Sequence, residues 1–188
     1  MRDKIHSFID EHFGMRKQLM DNVQHIEEAV QMITSCFKGN HKVLIMGNGG
    51  SAADSQHFAA ELVGRYKLER KGLPAIALTT DTSILTSISN DYGFDRVFEK
   101  QITALAQEGD VVIGITTSGN SANILNALEA AKKAKSKTIV LNGKDGGILK
   151  GKADVEILMP IKNTPRVQEA HILCIHMICE IVEEALYA

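Results

Sequence analysis

The chain has 188 residues, enough for one domain with a full core, and 44% of them are hydrophobic. A net charge of −2 argues against a general nucleic-acid surface, and the longest apolar runs are strand-sized, which argues against a transmembrane helix. The opening stretch MRDKIHSFIDEHF mixes charged and apolar residues without a signal-peptide core, so a cytoplasmic protein is expected.

Residues 1–38 read as helical. Ile5, Phe8, Ile9 and Phe13 recur at helical spacing, and so do Leu19, Val23, Ile26, Val30, Ile33 and Phe37. Gly14 is a candidate break between two helices, and Gly39-Asn40 is a stop signal. Five short apolar runs follow: Lys42 to Met46, Ala75 to Leu78, Val111 to Ile115, Thr138 to Leu141 and Val155 to Met159. Runs that are apolar on both faces suit buried parallel strands. Helical patterns lie between most of them, at 52–65, 83–90, 96–108 and 121–135, and a last helix spans roughly 165–187. The alternation predicts an α/β fold with a three-layer, doubly wound, five-stranded parallel sheet in one domain, residues 1–188, of which 1–38 are a helical extension. The stretch HILCIHMICEIV in the last helix is apolar nearly all round, which suits burial, with a subunit interface as a natural place for it. Cys36, Cys174 and Cys179 form no CxxC pair and sit in apolar helical patterns, so reduced, buried thiols are expected.

In an open parallel sheet, ligands bind beyond the carboxyl ends of the strands. Two loops there stand out. The first, Gly47-Asn48-Gly49-Gly50-Ser51, follows the first strand. The second, Thr116-Thr117-Ser118-Gly119-Asn120-Ser121, follows the Val111–Ile115 strand. Each leads into a helix, whose first N–H groups and positive dipole end favour an anion. Hydroxyls of Thr116, Thr117, Ser118 and Ser121 add donors, which is chemistry for a phosphate held without lysine. A simple helix cap would account for one of these hydroxyls rather than four. The first loop also fits the dinucleotide pattern, as Gly47-x-Gly49-x-x-Ala52, but Asp81 lies further along than the usual acidic partner. No Gly-Lys-Ser or Gly-Lys-Thr follows either loop, so the Walker pattern is absent.

His57 and Glu61 lie one turn apart on a helix and share a face, a spacing that can hold a divalent metal. The last helix carries Gln168, His171 and His176. Gln168 and His176 are about two turns apart on neighbouring faces, and His171 is an alternative to either. Spacing alone does not choose among them. His176, flanked by Ile175 and Met177, also fits a core histidine bonded to a carbonyl.

Together these motifs resemble the sugar isomerase (SIS) domain family, and within it the phosphoheptose isomerases. The resemblance covers essentially the whole chain: GNGGSA at 47–52, HFAAEL at 57–62, NDYGF at 90–94, TTSGNSAN at 116–123, NGKDGG at 142–147 and RVQEAHILCIH at 166–176. It implies that Asn48, Gly49, Gly50 and Ser51 line a sugar, and that Asn90 and Asp91 bind further substrate oxygens. It implies that Thr116, Thr117, Ser118 and Ser121 hold the phosphate, with Gln168 also at the substrate. His57, Glu61, Gln168 and His176 would bind one zinc ion per subunit. Glu61 and His176 would be the acid/base groups for conversion of sedoheptulose 7-phosphate to D-glycero-D-manno-heptose 7-phosphate through an enediol, a first step toward activated heptose for lipopolysaccharide or other surface glycans. The family also implies a homotetramer with sites between subunits, its terminal helices forming a central bundle, and no nucleic-acid or membrane partner. Thr116 stands where serine is expected, with the hydroxyl kept.

A related fold serves as a tetrameric adaptor for the bacterial replication initiator protein. That group lacks counterparts of Glu61 and His176 and carries arginine in place of Ser118, so these three residues favour the enzyme here. No DNA-binding helix pair or nucleotide-binding appendage accompanies the domain, which disfavours a sugar-phosphate sensor. Arabinose 5-phosphate isomerases usually carry a further C-terminal region that this chain does not contain.

Overall fold

The computed structural model describes residues 1–188. Three helices come first: α1 (Arg2–Phe13), α2 (Arg16–Asp21) and α3 (Val23–Lys38). The sheet is built from β1 (Val43–Gly47), β2 (Ala75–Ala77), β3 (Val111–Ile115), β4 (Lys137–Gly143) and β5 (Val155–Met159). Its order is β2-β1-β3-β4-β5, and every pairing is parallel. Between the strands run α4 (Gly50–Val63), α5 (Thr82–Tyr92), α6 (Val97–Leu105) and α7 (Ala122–Lys133), and α8 (Thr164–Tyr187) closes the chain. The predicted alternation is therefore present. The helix expected at 96–108 is shorter at both ends, because a 3₁₀ turn occupies Phe94–Arg96 and Ala106 is already extended. The N-terminal region holds three helices where two were expected.

The register explains the apolar runs. Val43, Ile45, Val111, Ile113, Ile139, Leu141 and Ile157 point to one face, against α3, α4 and α8. Leu44, Met46 and Val112 point to the other, where α6 and α7 supply Phe98, Ile102, Ile124 and Leu128. Both faces are dry, so residues of both parities must be apolar. The three cysteines are free and buried, and burial pushes the Cys36 and Cys174 thiols up to about 11 and about 12.

The N-terminal helices divide into a packed part and an unpacked part. Helix α3 buries Ile26, Val30, Ile33 and Phe37 against the sheet. At its start, the Asn22 amide donates to the Leu158 carbonyl (2.8 Å) and its oxygen accepts the Leu158 N–H (3.0 Å), which caps one rung of the open β5 edge. Helix α1 buries no residue and leaves Ile5, Phe8, Ile9 and Phe13 exposed. Polar contacts hold it to the start of α8: His12 Nδ1 lies 2.7 Å from Glu169 Oε2, and Arg166 donates to the Phe8 carbonyl at 2.6 Å.

Candidate active site

Strand order 2-1-3-4-5 reverses direction between β1 and β3, and ligands bind at such a switch point. The two loops singled out in the sequence leave β1 and β3 side by side there. A reciprocal amide pair joins them. Asn48 Nδ2 donates to Asn123 Oδ1 at 3.0 Å, and Asn123 Nδ2 donates to Asn48 Oδ1 at 2.9 Å. Asn123 is almost fully buried. It lies within the TTSGNSAN motif without being singled out, because nothing local distinguishes a bridging amide from a polar residue in the first turn of a helix.

The second loop is shaped by Gly119, at φ +70°. A Cβ there would collide with the Gly146 carbonyl, so the β3 and β4 loops pack through bare backbone. Ser121 is the N-cap of α7, but its side chain bonds no N–H of that helix. Its Oγ lies 3.0 Å from Thr116 Oγ1 instead. The N–H groups of Thr117, Ser118, Gly119, Ala122 and Asn123 have no acceptor within the chain. Together with the hydroxyls of Thr117, Ser118 and Ser121, they form a cradle of donors at a helix start, suited to an oxyanion. Thr116 is buried beneath it and Ser118 and Ser121 are half-buried. With an anion in the cradle, replacing Ser118 with alanine would delete one hydrogen bond to it, an expected cost of about 1.5–3 kcal/mol. Substrate KM should rise roughly 10- to 100-fold with kcat little changed, measured by steady-state kinetics.

In the first loop, Gly49 (φ +55°) starts α4, and Ser51 is buried with its carbonyl accepting the Ser55 hydroxyl at 2.7 Å. Gly50 faces the Gln168 amide closely enough that any side chain at position 50 would strike it. Gln168 is thus brought from α8 to the first loop. Asn90 and Asp91 lie exposed at the end of α5, where Asn90 donates to Asp91 Oδ1 at 2.9 Å. The turn after them is tied to α7 through Asn126, which donates to the Asp95 carbonyl. Asp81, which lies too far along for the acidic partner of the dinucleotide pattern, caps α5 by accepting the Ile84 N–H at 2.9 Å.

A second cluster lies further down α4. His57 Nε2 is 3.1 Å from Glu61 Oε1 and 3.2 Å from His176 Nε2. One ligand atom from each of the three residues falls within a 4.8 Å sphere of mutual distances. Two ligands at about 2.0–2.1 Å from one tetrahedral ion lie about 3.3 Å apart, so the His57–Glu61 and His57–His176 separations match two edges of such a site. Two imidazoles and a carboxylate also form a usual donor set for a divalent metal with one position left over. The choice between the α8 histidines is clear. His171 is fully buried with Nε2 3.0 Å from the Asn142 carbonyl, and burial pushes its pKa down to about 4 despite that bond. His171 is therefore the core histidine, and His176 joins His57 and Glu61.

His57 lies seven residues and Glu61 eleven residues beyond Gly50 on α4. That puts the trio about 10–16 Å along the helix axis from the two loops of its own chain.

The SIS domain family model matches residues 7–143. A phosphoheptose isomerase of Citrifermentans bemidjiense is 58% identical over 162 residues, spanning 86% of this chain and 84% of the relative. One from Geotalea uraniireducens is 50% identical over the full length of both chains. The solved phosphoheptose isomerase of Neisseria gonorrhoeae superposes with a TM-score of 0.92 at 42% identity, over 97% of this chain and 98% of that one. That of Francisella tularensis gives 0.93 at 38%, over 97% of both. With the two loops at the switch point and the His–Glu–His trio in place, these likenesses make the chain a member of the SIS domain family, among its phosphoheptose isomerases.

Proposed function

We propose that the protein interconverts sedoheptulose 7-phosphate and D-glycero-D-manno-heptose 7-phosphate, with the phosphate in the Thr117–Ser121 cradle and the carbonyl end of the sugar at Glu61 and His176. The observation that carries this reading is the convergence of Glu61, His57 and His176 from helices far apart in the chain. The names of the relatives support the same reaction. The adaptor reading finds no support among them.

The ketose-to-aldose conversion moves one proton from C1 to C2 and one between the oxygens. Glu61 removes the C1 proton, leaving an enediol, and returns it to C2. With its Nε2 free of metal, His176 moves the proton from O1 to O2. Glu61 Oε1 faces His57, which leaves Oε2 for the substrate proton. The trio would hold zinc, one ion per subunit; Gln168, set beside Gly50 at the far end of α4, would complete the ligand set only from a neighbouring copy. Bound there, zinc supplies Lewis-acid polarisation of the carbonyl and the adjacent hydroxyl. The product feeds heptose to surface glycans, and the enzyme acts in the cytoplasm on a small sugar phosphate.

The active unit is a homotetramer of single SIS domains, residues 1–188, with sites shared between subunits. Two observations support this. Helix α1 carries the unburied stripe Ile5, Phe8, Ile9 and Phe13, and Leu173 and Ile181 of α8 are also exposed. One chain also holds its trio some 10–16 Å along α4 from its own loops, a gap that a neighbouring copy would close.

Incubation with sedoheptulose 7-phosphate, followed by NMR, should yield the aldose, and a chelator should suppress it. Absence of aldose overturns the reaction. The shared site is tested by mixing. Chains with Glu61→Gln and chains with Ser118→Arg should each be inactive alone and regain activity when co-expressed. Folded hybrids of the right size that stay inactive overturn the shared site.

A further inference from the structure

Two buried charged side chains take no part in the proton transfers above. The side chains of Arg70 and Glu183 are 1% and 2% exposed, with Nε donating to Oε1 at 2.7 Å. Burying such a pair costs desolvation that hydrophobic packing would avoid, so its contacts are informative. Glu183 Oε1 also accepts the Tyr66 N–H (3.0 Å), and Oε2 accepts those of Lys67 (2.7 Å) and Leu68 (2.8 Å). One carboxylate thus gathers three successive N–H groups of the loop after α4. Arg70 spends the rest of its fork on the end of α4: NH2 donates to the Glu61 carbonyl and NH1 to the Leu62 carbonyl, both at 2.9 Å. These carbonyls belong to the last turn of the helix, where intrahelical partners run out.

The pair reaches the trio on two sides, one by direct contact and one through Tyr66. It grips Glu61 directly by its carbonyl. Glu183 lies seven residues beyond His176 on α8, two turns along the same face. The loop that Glu183 organises carries Tyr66, whose ring centroid lies 6.0 Å from that of His176 at 39°. The clamp therefore fixes α4 against α8 at the level of the metal-type cluster.

We propose that Arg70 and Glu183 are positioning residues that set Glu61 and His176 at the separation the reaction and the metal need, and do more than stabilise the fold. The proposal rests on the functional reading above. Arg70→Lys tests it. Lysine keeps the charge and the pairing with Glu183, but one ammonium lacks the planar fork that spans Glu183, Glu61 and Leu62 together. The variant should fold. Its kcat should fall about 10- to 100-fold with KM changed less than about threefold, and zinc affinity of the metal-free protein, by chelator competition, should fall about 10- to 100-fold. Lys135→Ala, which removes an exposed ion pair with Glu108 far from the clamp, should leave both values unchanged.

Wild-type kcat and zinc affinity in folded Arg70→Lys would overturn the proposal, whatever the change in melting temperature. If that variant does not fold, Glu183→Asp, which withdraws the carboxylate by one methylene, carries the same test with the same two readouts. A wild-type protein that neither binds zinc nor turns over substrate would instead defeat the functional reading, so the two failures are distinct.

Discussion

Glu61→Gln is expected to lower kcat by about 10²–10⁴-fold, the range a positioned acid/base group supplies. Glutamine keeps the length and shape of the side chain and cannot take a proton from carbon. The cradle of Thr117, Ser118 and Ser121 lies on different elements and stays intact, so binding of a phosphate-bearing analogue should change by no more than a few-fold. Loss of the carboxylate also weakens the metal-type cluster, because His57 then faces a neutral amide in place of Glu61 Oε1. Exchange of the substrate C1 proton with solvent deuterium separates the two effects. An unaffected exchange rate with slowed product formation would assign Glu61 to the metal alone, and near-normal turnover would remove it from the chemistry.

Glu183→Ala is expected to destabilise the chain by about 3–5 kcal/mol, because it leaves the buried Arg70 guanidinium unpaired together with three loop N–H groups. For a chain of this length that corresponds to a fall in melting temperature of about 6–20 °C. The same carboxylate confers acid sensitivity. Burial by itself would raise its pKa, but the N–H groups of Leu68, Tyr66 and Lys67 and the Arg70 side chain overcome that and hold it down to about 2. A carboxylate with a depressed folded-state pKa contributes stability that is complete above its unfolded value near 4.5 and is lost as pH falls toward about 2. Wild-type stability, measured by denaturant titration, should drop more steeply between pH 4.5 and 2 than that of Glu183→Gln. Equal slopes would show that the pair adds nothing to acid sensitivity.

Parts of this site were legible in the chain because their signals are local. The strands announced themselves by apolar residues at both parities, which only a sheet covered on both faces requires. Four hydroxyls after β3 stood out because a cap explains only one of them. His57 and Glu61 were legible as a pair because a helix puts i and i+4 on one face. Other parts were not. His171 and His176 sit five residues apart in one apolar helix, and their order along the chain says nothing about which face meets β4 and which meets α4. Thr116 and Ser51 read as ligand-facing hydroxyls, and in the fold both are buried beneath the loops.

The sequence by itself determined the α/β class, the order of elements, the two loops at the strand ends and the residue types available for acid/base and metal chemistry. These follow from periodicity and from the steric demands of glycine and capping residues, which act over a few positions. Only the tertiary structure decided that His176 and not His171 joins Glu61, that Asn48 is spent on Asn123, and that Arg70 meets Glu183 across 113 residues of chain. Those contacts depend on how α4 and α8 are rotated against the sheet. That rotation is set by the summed packing of many apolar side chains, and no short stretch of sequence encodes it.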